Sequence, residues 1–167
     1  MKCLKYLKMS KIFLVLFLLF SSSFASSKIY FLPKDAKISS EKIISLIDNS
    51  KSSIDISMYN LSYKKLINGL SKASKRGVII NLYLDKSKFK KSDKINKLIK
   101  NSGIKYKVLE KKNHLKLALF DKSTAVFGSA NWTKESFQDN FEIIYMTDEH
   151  KDIKQIKEIF NSLEKNY

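Results

Sequence analysis

The sequence predicts an α/β fold, a mixed β-sheet with helices packed on it. Three observations predict it. Short alternating or β-branched runs recur between longer stretches that carry apolar residues at helical spacing, so strands and helices take turns along the chain. One of the short runs, VIINLYL from Val78 to Leu84, has the composition of a strand covered on both faces. The alternation then breaks between His114 and Thr133, where two apolar runs are separated only by a short polar turn, the pattern of a hairpin.

The elements follow in order. Residues 1–25 form a leader: Lys2, Lys5, Lys8 and Lys11 without an acid, the apolar run Ile12–Phe20, then small residues with Ser23 and Ala25 placed for cleavage. The apolar run falls short of the ~20 residues of a comfortable membrane span. It reads as a cleaved export signal, with an uncleaved N-terminal anchor as the alternative. Residues 26–167 then form a single domain that is exported, periplasmic or secreted. Lys28–Leu32 is a short strand closed by Pro33, and Ser40 can cap a helix that places Ile43, Ile44 and Ile47 on one face. Ser53–Tyr59 alternates as a strand. The next helix turns Leu66, Leu70 and Ala73 inward and stops at Gly77. After the Val78–Leu84 strand, a helix is expected from Ser92 to Gly103, then a strand at Ile104–Leu109. Beyond the hairpin come a strand at Phe141–Met146 and a closing amphipathic helix with Ile153, Ile156, Phe160 and Leu163 inward.

Charge and cysteine content narrow the function classes. The whole chain carries +16, and without the leader's four lysines the domain keeps +12, nearly all of it from lysine, since Arg76 is the only arginine. Such a surface favours polyanions, and lysine suits backbone phosphate better than base edges. Cys3 leaves with the leader, so an exported domain must be held by packing rather than disulfides. With His114 and His150 as its only histidines and no cysteine, the domain has little material for a zinc site, and no metal or cofactor is expected.

The hairpin carries the chemistry. Residues two apart in a strand share a face, so His114 and Lys116 point together, as do Ser129 and Asn131. With DKST as the turn and Phe120 opposite Ala125, Lys116 falls opposite Ser129 and His114 opposite Asn131; a slip of one residue would turn the two pairs onto opposite faces. Imidazole serves as a nucleophile or a proton carrier near neutral pH. The lysine ammonium, the asparagine amide and the serine hydroxyl offer donors to phosphate oxygens. Glu142, on the following strand, shares a face with Ile144 and Met146, a half-buried position that calls for a partner. His150 reads as a surface residue.

His114-x-Lys116, then Asp121, then Gly128-Ser129-x-Asn131, resembles the full HKD motif of the phospholipase D superfamily in every position and spacing. The segment from Ser52 to Ser87 is similar to what precedes the motif in short bacterial members, and the closest form is the small single-motif endonuclease branch. The resemblance implies the phospholipase D/nuclease-like fold with one motif per chain. It implies a two-step displacement, in which one histidine attacks phosphorus and a second protonates the leaving oxygen. His114 is then the nucleophile or the acid/base, Lys116 and Asn131 grip the phosphate with Ser129 assisting, and Asp121 is mainly an orienting residue. Asn140 and Glu142 fall where family members carry an N-x-E segment, which makes Glu142 the candidate to orient the histidine through its other ring nitrogen. One motif in a mechanism of two histidines implies a homodimer.

The leading expectation is a metal-independent phosphodiesterase, a non-specific endonuclease whose partner is the phosphate backbone of DNA or RNA. A phospholipase D acting on lipid headgroups is the alternative, since the same chemistry and charge serve an anionic membrane surface. A secreted nucleic-acid-binding module without catalysis is the third reading. Membrane association through the leader depends on whether the leader is cleaved.

Overall fold

The computed structural model of the protein describes residues 26–91, 96, 99, 100 and 102–166. The leader lies outside them, as does much of the helix expected from Ser92. The described elements are β1 (Ser27–Leu32), α1 (Ala36–Asn49), β2 (Ser53–Met58), α2 (Lys64–Lys75), β3 (Ile79–Asp85), α3 (Lys86–Phe89), β4 (Lys105–Leu109), β5 (Lys116–Phe120), β6 (Thr124–Gly128), α4 (Lys134–Gln138), β7 (Glu142–Thr147) and α5 (His150–Asn166).

Among the described residues, seven strands form one sheet in the order β1-β7-β6-β5-β2-β3-β4. β2, β3 and β4 are parallel, as expected where a helix or a long connection separates consecutive strands, and the other pairings are antiparallel. The expected mixed sheet is therefore the one observed. Its two faces bury different cores. One face, carrying Ile54, Ile56, Ala118, Phe120 and Val126, packs with Ile43 and Ile47 of α1 and Leu66 and Leu70 of α2. The other, carrying Tyr83, Leu109, Leu117, Leu119 and Ala125, packs with Ile153, Ile156, Phe160 and Leu163 of α5. Side chains alternate in direction along each strand, so β5 feeds both cores.

Three local expectations need correction. α1 begins at Ala36 with Asp35 at its cap, and Ser40 lies buried inside the helix, its Oγ donating to the Lys37 carbonyl at 2.9 Å. The Asp35 amide donates to the Phe31 carbonyl at 2.8 Å, which turns β1 into the helix earlier than Ser40 would allow. The short helix α4 was not expected; Thr133 caps it by accepting from the Ser136 amide at 3.0 Å, and Phe137 is buried beneath it.

The third correction concerns the hairpin register. Phe120 lies opposite Thr124 and Leu117 opposite Phe127, one residue away from the expected pairing, so Lys116 does not face Ser129 and His114 does not face Asn131. Two causes act together. Asp121 and Lys122 both adopt left-handed backbone conformations, φ 48° and 57°, which closes the turn in three residues instead of four. The register also sets Leu117 and Leu119 beside Phe127 and Ala125, so all four face α5.

Candidate active site

β5 runs antiparallel to β2, and β7 to β6. The end of β2, the start of β5, the end of β6 and the start of β7 therefore meet at one end of the sheet. Lys116 lies opposite Met58 there, and His114 is just outside the strand.

The backbone that presents His114 is held by its neighbour. Asn113 is buried, its Oδ1 accepting from Ser57 Oγ at 3.1 Å and from the Leu115 amide at 3.2 Å. Its Nδ2 donates to the Tyr83 carbonyl at 2.9 Å, and its amide donates to Asp85 Oδ2 at 3.0 Å. A buried polar network with its partners in place fixes one geometry, because any displacement would strand a group away from water. Burial pushes the Asp85 carboxyl up, but bonds from Ser87, Asn113 and Lys88 outweigh it and hold it below its ordinary value.

Tyr59 holds the imidazole from the other side. Its ring centroid lies 4.6 Å from that of His114, and its amide donates to the Leu115 carbonyl at 2.9 Å. Lys116 Nζ sits 3.2 Å from His114 Nδ1 and 3.4 Å from Nε2, donates to the His114 carbonyl at 2.9 Å and lies 5.2 Å from the centroid of Tyr59. An ammonium can only donate, so it bonds whichever ring nitrogen presents a lone pair, the same lone pair a nucleophile would use. Burial pulls the Lys116 ammonium below the ordinary lysine value; Glu142 pushes it back up and Lys112 lowers it further.

The remaining residues divide. Asn131 enters beside Tyr59: its Oδ1 accepts from the Asn60 amide at 3.2 Å, which turns Nδ2 into its donor. The segment around it runs along residues 61–63, with the Ser62 and Tyr63 amides both donating to the Trp132 carbonyl at 2.8 Å. Ser129 donates its amide to the Ile143 carbonyl at 3.1 Å and accepts from the Ile143 amide through Oγ at 3.0 Å, leaving its hydroxyl hydrogen to donate. Gly128 makes this crossing feasible, since a Cβ there would lie 2.2 Å from the Ile143 carbonyl oxygen. Glu142 is half-buried at the start of β7, and its electrostatic partner is Lys116; among the described residues it makes no hydrogen bond to His114. Asp121 lies at the far end of β5, about 17 Å along the strand from Lys116 at ~3.3 Å per residue, and accepts from the amides of Lys51, Ser52 and Ser53. It orients the hairpin and does not reach the site.

A cleft of about 340 Å³ opens beside His114 and Lys116, with Leu117, Phe127, Gly128 and Ile156 among its walls. The arrangement can supply a nucleophilic nitrogen beside a fixed cation, with the Asn131 amide tied to Asn60, the residue after Tyr59. Tyr59, Asn113 and Asp85 escaped the sequence reading. Asn113 alone left a trace, a polar residue directly before the histidine; the tilted ring contact of Tyr59 with His114 depends on β2 and β5 being neighbours.

A scan against protein families matches residues 43–164 to the PLD-like domain described under cardiolipin synthase. No curated protein matches the chain. Among solved structures it is similar to NucT from Helicobacter pylori, with a TM-score of 0.76, 23% identity, and 83% of this chain and 94% of that chain covered. It is also similar to Nuc, a phospholipase D family member from Salmonella typhimurium, with a TM-score of 0.73, 24% identity, and coverages of 83% and 93%. Polyphosphate kinase from Porphyromonas gingivalis shares the fold at a TM-score of 0.70 and 15% identity, over 83% of this chain and 26% of that one.

Proposed function

This chain belongs to the phospholipase D superfamily of phosphodiesterases, and on that premise we propose that it is a metal-independent, non-specific endonuclease that works as a homodimer. The observation that carries the reading is the imidazole of His114 held against the ammonium of Lys116, 3.2 Å away, on a domain of +12. The likeness to NucT and to the phospholipase D family member Nuc supports the same direction.

In the proposed first step a lone pair of His114 attacks phosphorus, a P–N bond forms, and the P–O bond to the leaving oxygen breaks. The imidazolium of His114 in a second copy gives that oxygen its proton. In the second step the now neutral partner imidazole takes a proton from water, the hydroxide attacks phosphorus, and the P–N bond breaks to restore the enzyme. Lys116 and Nδ2 of Asn131 hold the non-bridging oxygens as charge moves onto them, with Ser129 Oγ–H as a further donor. Glu142 favours the charged form of Lys116. Residues 1–25 act as the export signal, which places the enzyme in the periplasm or outside the cell.

Phospholipid headgroups are the second substrate class. The exposed apolar group beside Glu142 favours it: Phe141 is 83% exposed and stacks on Phe31, next to Ile143. Purified residues 26–167 should be offered labelled DNA, RNA and phospholipid side by side in excess EDTA. Cleavage of nucleic acid of several unrelated sequences is expected, with affinity falling steeply as salt rises, by about 0.7 in log affinity per log salt for each phosphate contacted on a single strand. Rapid headgroup release with DNA and RNA left intact would replace this reading with the phospholipase.

A further inference from the structure

We propose that Lys88 and Lys116, gathered on the ring of Tyr59, form a paired subsite for two successive phosphodiesters of one strand, the scissile group at Lys116 and its neighbour at Lys88. The inference rests on the nuclease reading and names what selects a polymer over a substrate with one phosphodiester.

Lys88 Nζ lies 5.0 Å from the Tyr59 centroid and Lys116 Nζ lies 5.2 Å from it, so the two ammonium groups are no more than about 10 Å apart. Two ammonium groups on one ring add their attraction for an anion beside them. Lys86, from the same lysine cluster, is paired with Glu110. Lys88 has no carboxylate partner among the described residues; its contact is the face of the tyrosine. A cation held on an aromatic ring keeps its direction without being neutralised.

The position of Lys88 is also built. Asp85 Oδ1 accepts from the Ser87 amide at 2.9 Å and from the Lys88 amide at 3.3 Å, which fixes the start of α3. Oδ2 of the same buried carboxylate accepts from the Asn113 amide at 3.0 Å, one residue before His114. One side chain thus ties the backbone that carries Lys88 to the backbone that carries the imidazole. Successive phosphates of one strand advance by about 3.4 Å along a duplex axis, so ammonium groups up to about 10 Å apart can each meet one of two successive phosphates. A phosphatidylcholine-type substrate offers one phosphodiester and would leave Lys88 without a ligand.

The test compares a single-stranded oligonucleotide with bis(p-nitrophenyl) phosphate, which carries one phosphodiester, for the wild type, Lys88→Ala, Lys88→Glu and Lys88→Arg. For Lys88→Ala, kcat/KM on the oligonucleotide should fall about tenfold relative to the small diester, mainly through KM. The salt slope should shrink by about one contact, ~0.7. Lys88→Glu should fall further, and Lys88→Arg should recover the slope. Turnover of the small diester reports that the variants are folded. If the ratio of the two activities stays at the wild-type value in Lys88→Ala and Lys88→Glu, the paired subsite is wrong. Wild-type protein that cleaves phospholipid but no oligonucleotide defeats the nuclease reading itself, a result separate from any effect of Lys88.

Discussion

Three influences act on the proton of Lys116, in opposing directions. Burial disfavours the charged form most strongly, Lys112 acts the same way, and Glu142 favours the charge without restoring the ordinary value of 10.5. If the ammonium stabilises the transition state, activity should decline as pH rises through that lowered value, because the proton is lost earlier than from a free lysine. A kcat/KM profile taken to alkaline pH checks this. Lys116→Arg should lower kcat, since the guanidinium does not reproduce the geometry, yet keep its activity to higher pH because it stays charged. An identical alkaline limb in the two proteins would assign the decline to another group. At His114 the expectation is simpler: His114→Ala should lose turnover while retaining the fold and oligonucleotide binding, and Asn131→Ala should lose ~10²-fold or more in kcat. Near-normal turnover in His114→Ala would remove the proposed nucleophile.

The hairpin between β5 and β6 shows what a motif residue does when it stands away from the chemistry. Asp121 is buried enough for desolvation to push its carboxyl up, but the amides of Ser52, Lys51 and Ser53 together outweigh this and bring it down to about 2. Its turn neighbour Lys122 donates to the buried Asp55 at 2.6 Å, so both turn residues clasp β2 and its approach. The folded value of Asp121 lies below its unfolded value of 3.8, so its stabilisation is fully present above that pH and is lost as pH falls through about 2. Asp121→Asn should cost about 1–2 kcal/mol near neutral pH, discounted for partial exposure. Urea unfolding near pH 7 and near pH 2 should show the gap between variant and wild type closing at the acid end. A gap that stays constant across that range would mean that charge is not what Asp121 contributes.

On the scale of the whole molecule, the proposed reaction uses two imidazoles while the sequence carries one motif. A two-fold pair brings the same residue to one cleft twice. Specific activity of the wild type should therefore fall on dilution, in step with loss of the dimer by light scattering. Mixing a large excess of His114→Ala with wild type should suppress activity by capturing active chains in mixed pairs. A monomer that keeps full specific activity at every dilution would force a different acid within the chain. The proposed polyanionic partner belongs to the same scale, because the +12 of residues 26–167 acts at a distance and independently of any single contact.

The seven strands, the three longer helices α1, α2 and α5, the inward faces of α2 and α5 and the spacing of His114, Lys116, Ser129 and Asn131 were readable in the sequence, because periodicity and spacing are local properties of a chain, whereas the short helices α3 and α4 were not. The end of α2 was readable too, since Gly77 adopts φ 92°. The hairpin register was not: Asp121 and Lys122 both take a left-handed conformation that shortens the turn, while Asp121 accepts from the amides of residues 51–53 and Lys122 donates to Asp55 of β2. The same limit applies at the site. Tyr59, Asn113 and Asp85 surround His114 only because β5 returns beside β2, which itself pairs with β3. Sequence determined which groups could do the chemistry. Tertiary structure decided which amides Asp121 accepts from, that Glu142 comes within electrostatic reach of Lys116, and that Lys88 comes to the same ring, because each depends on elements distant in the chain.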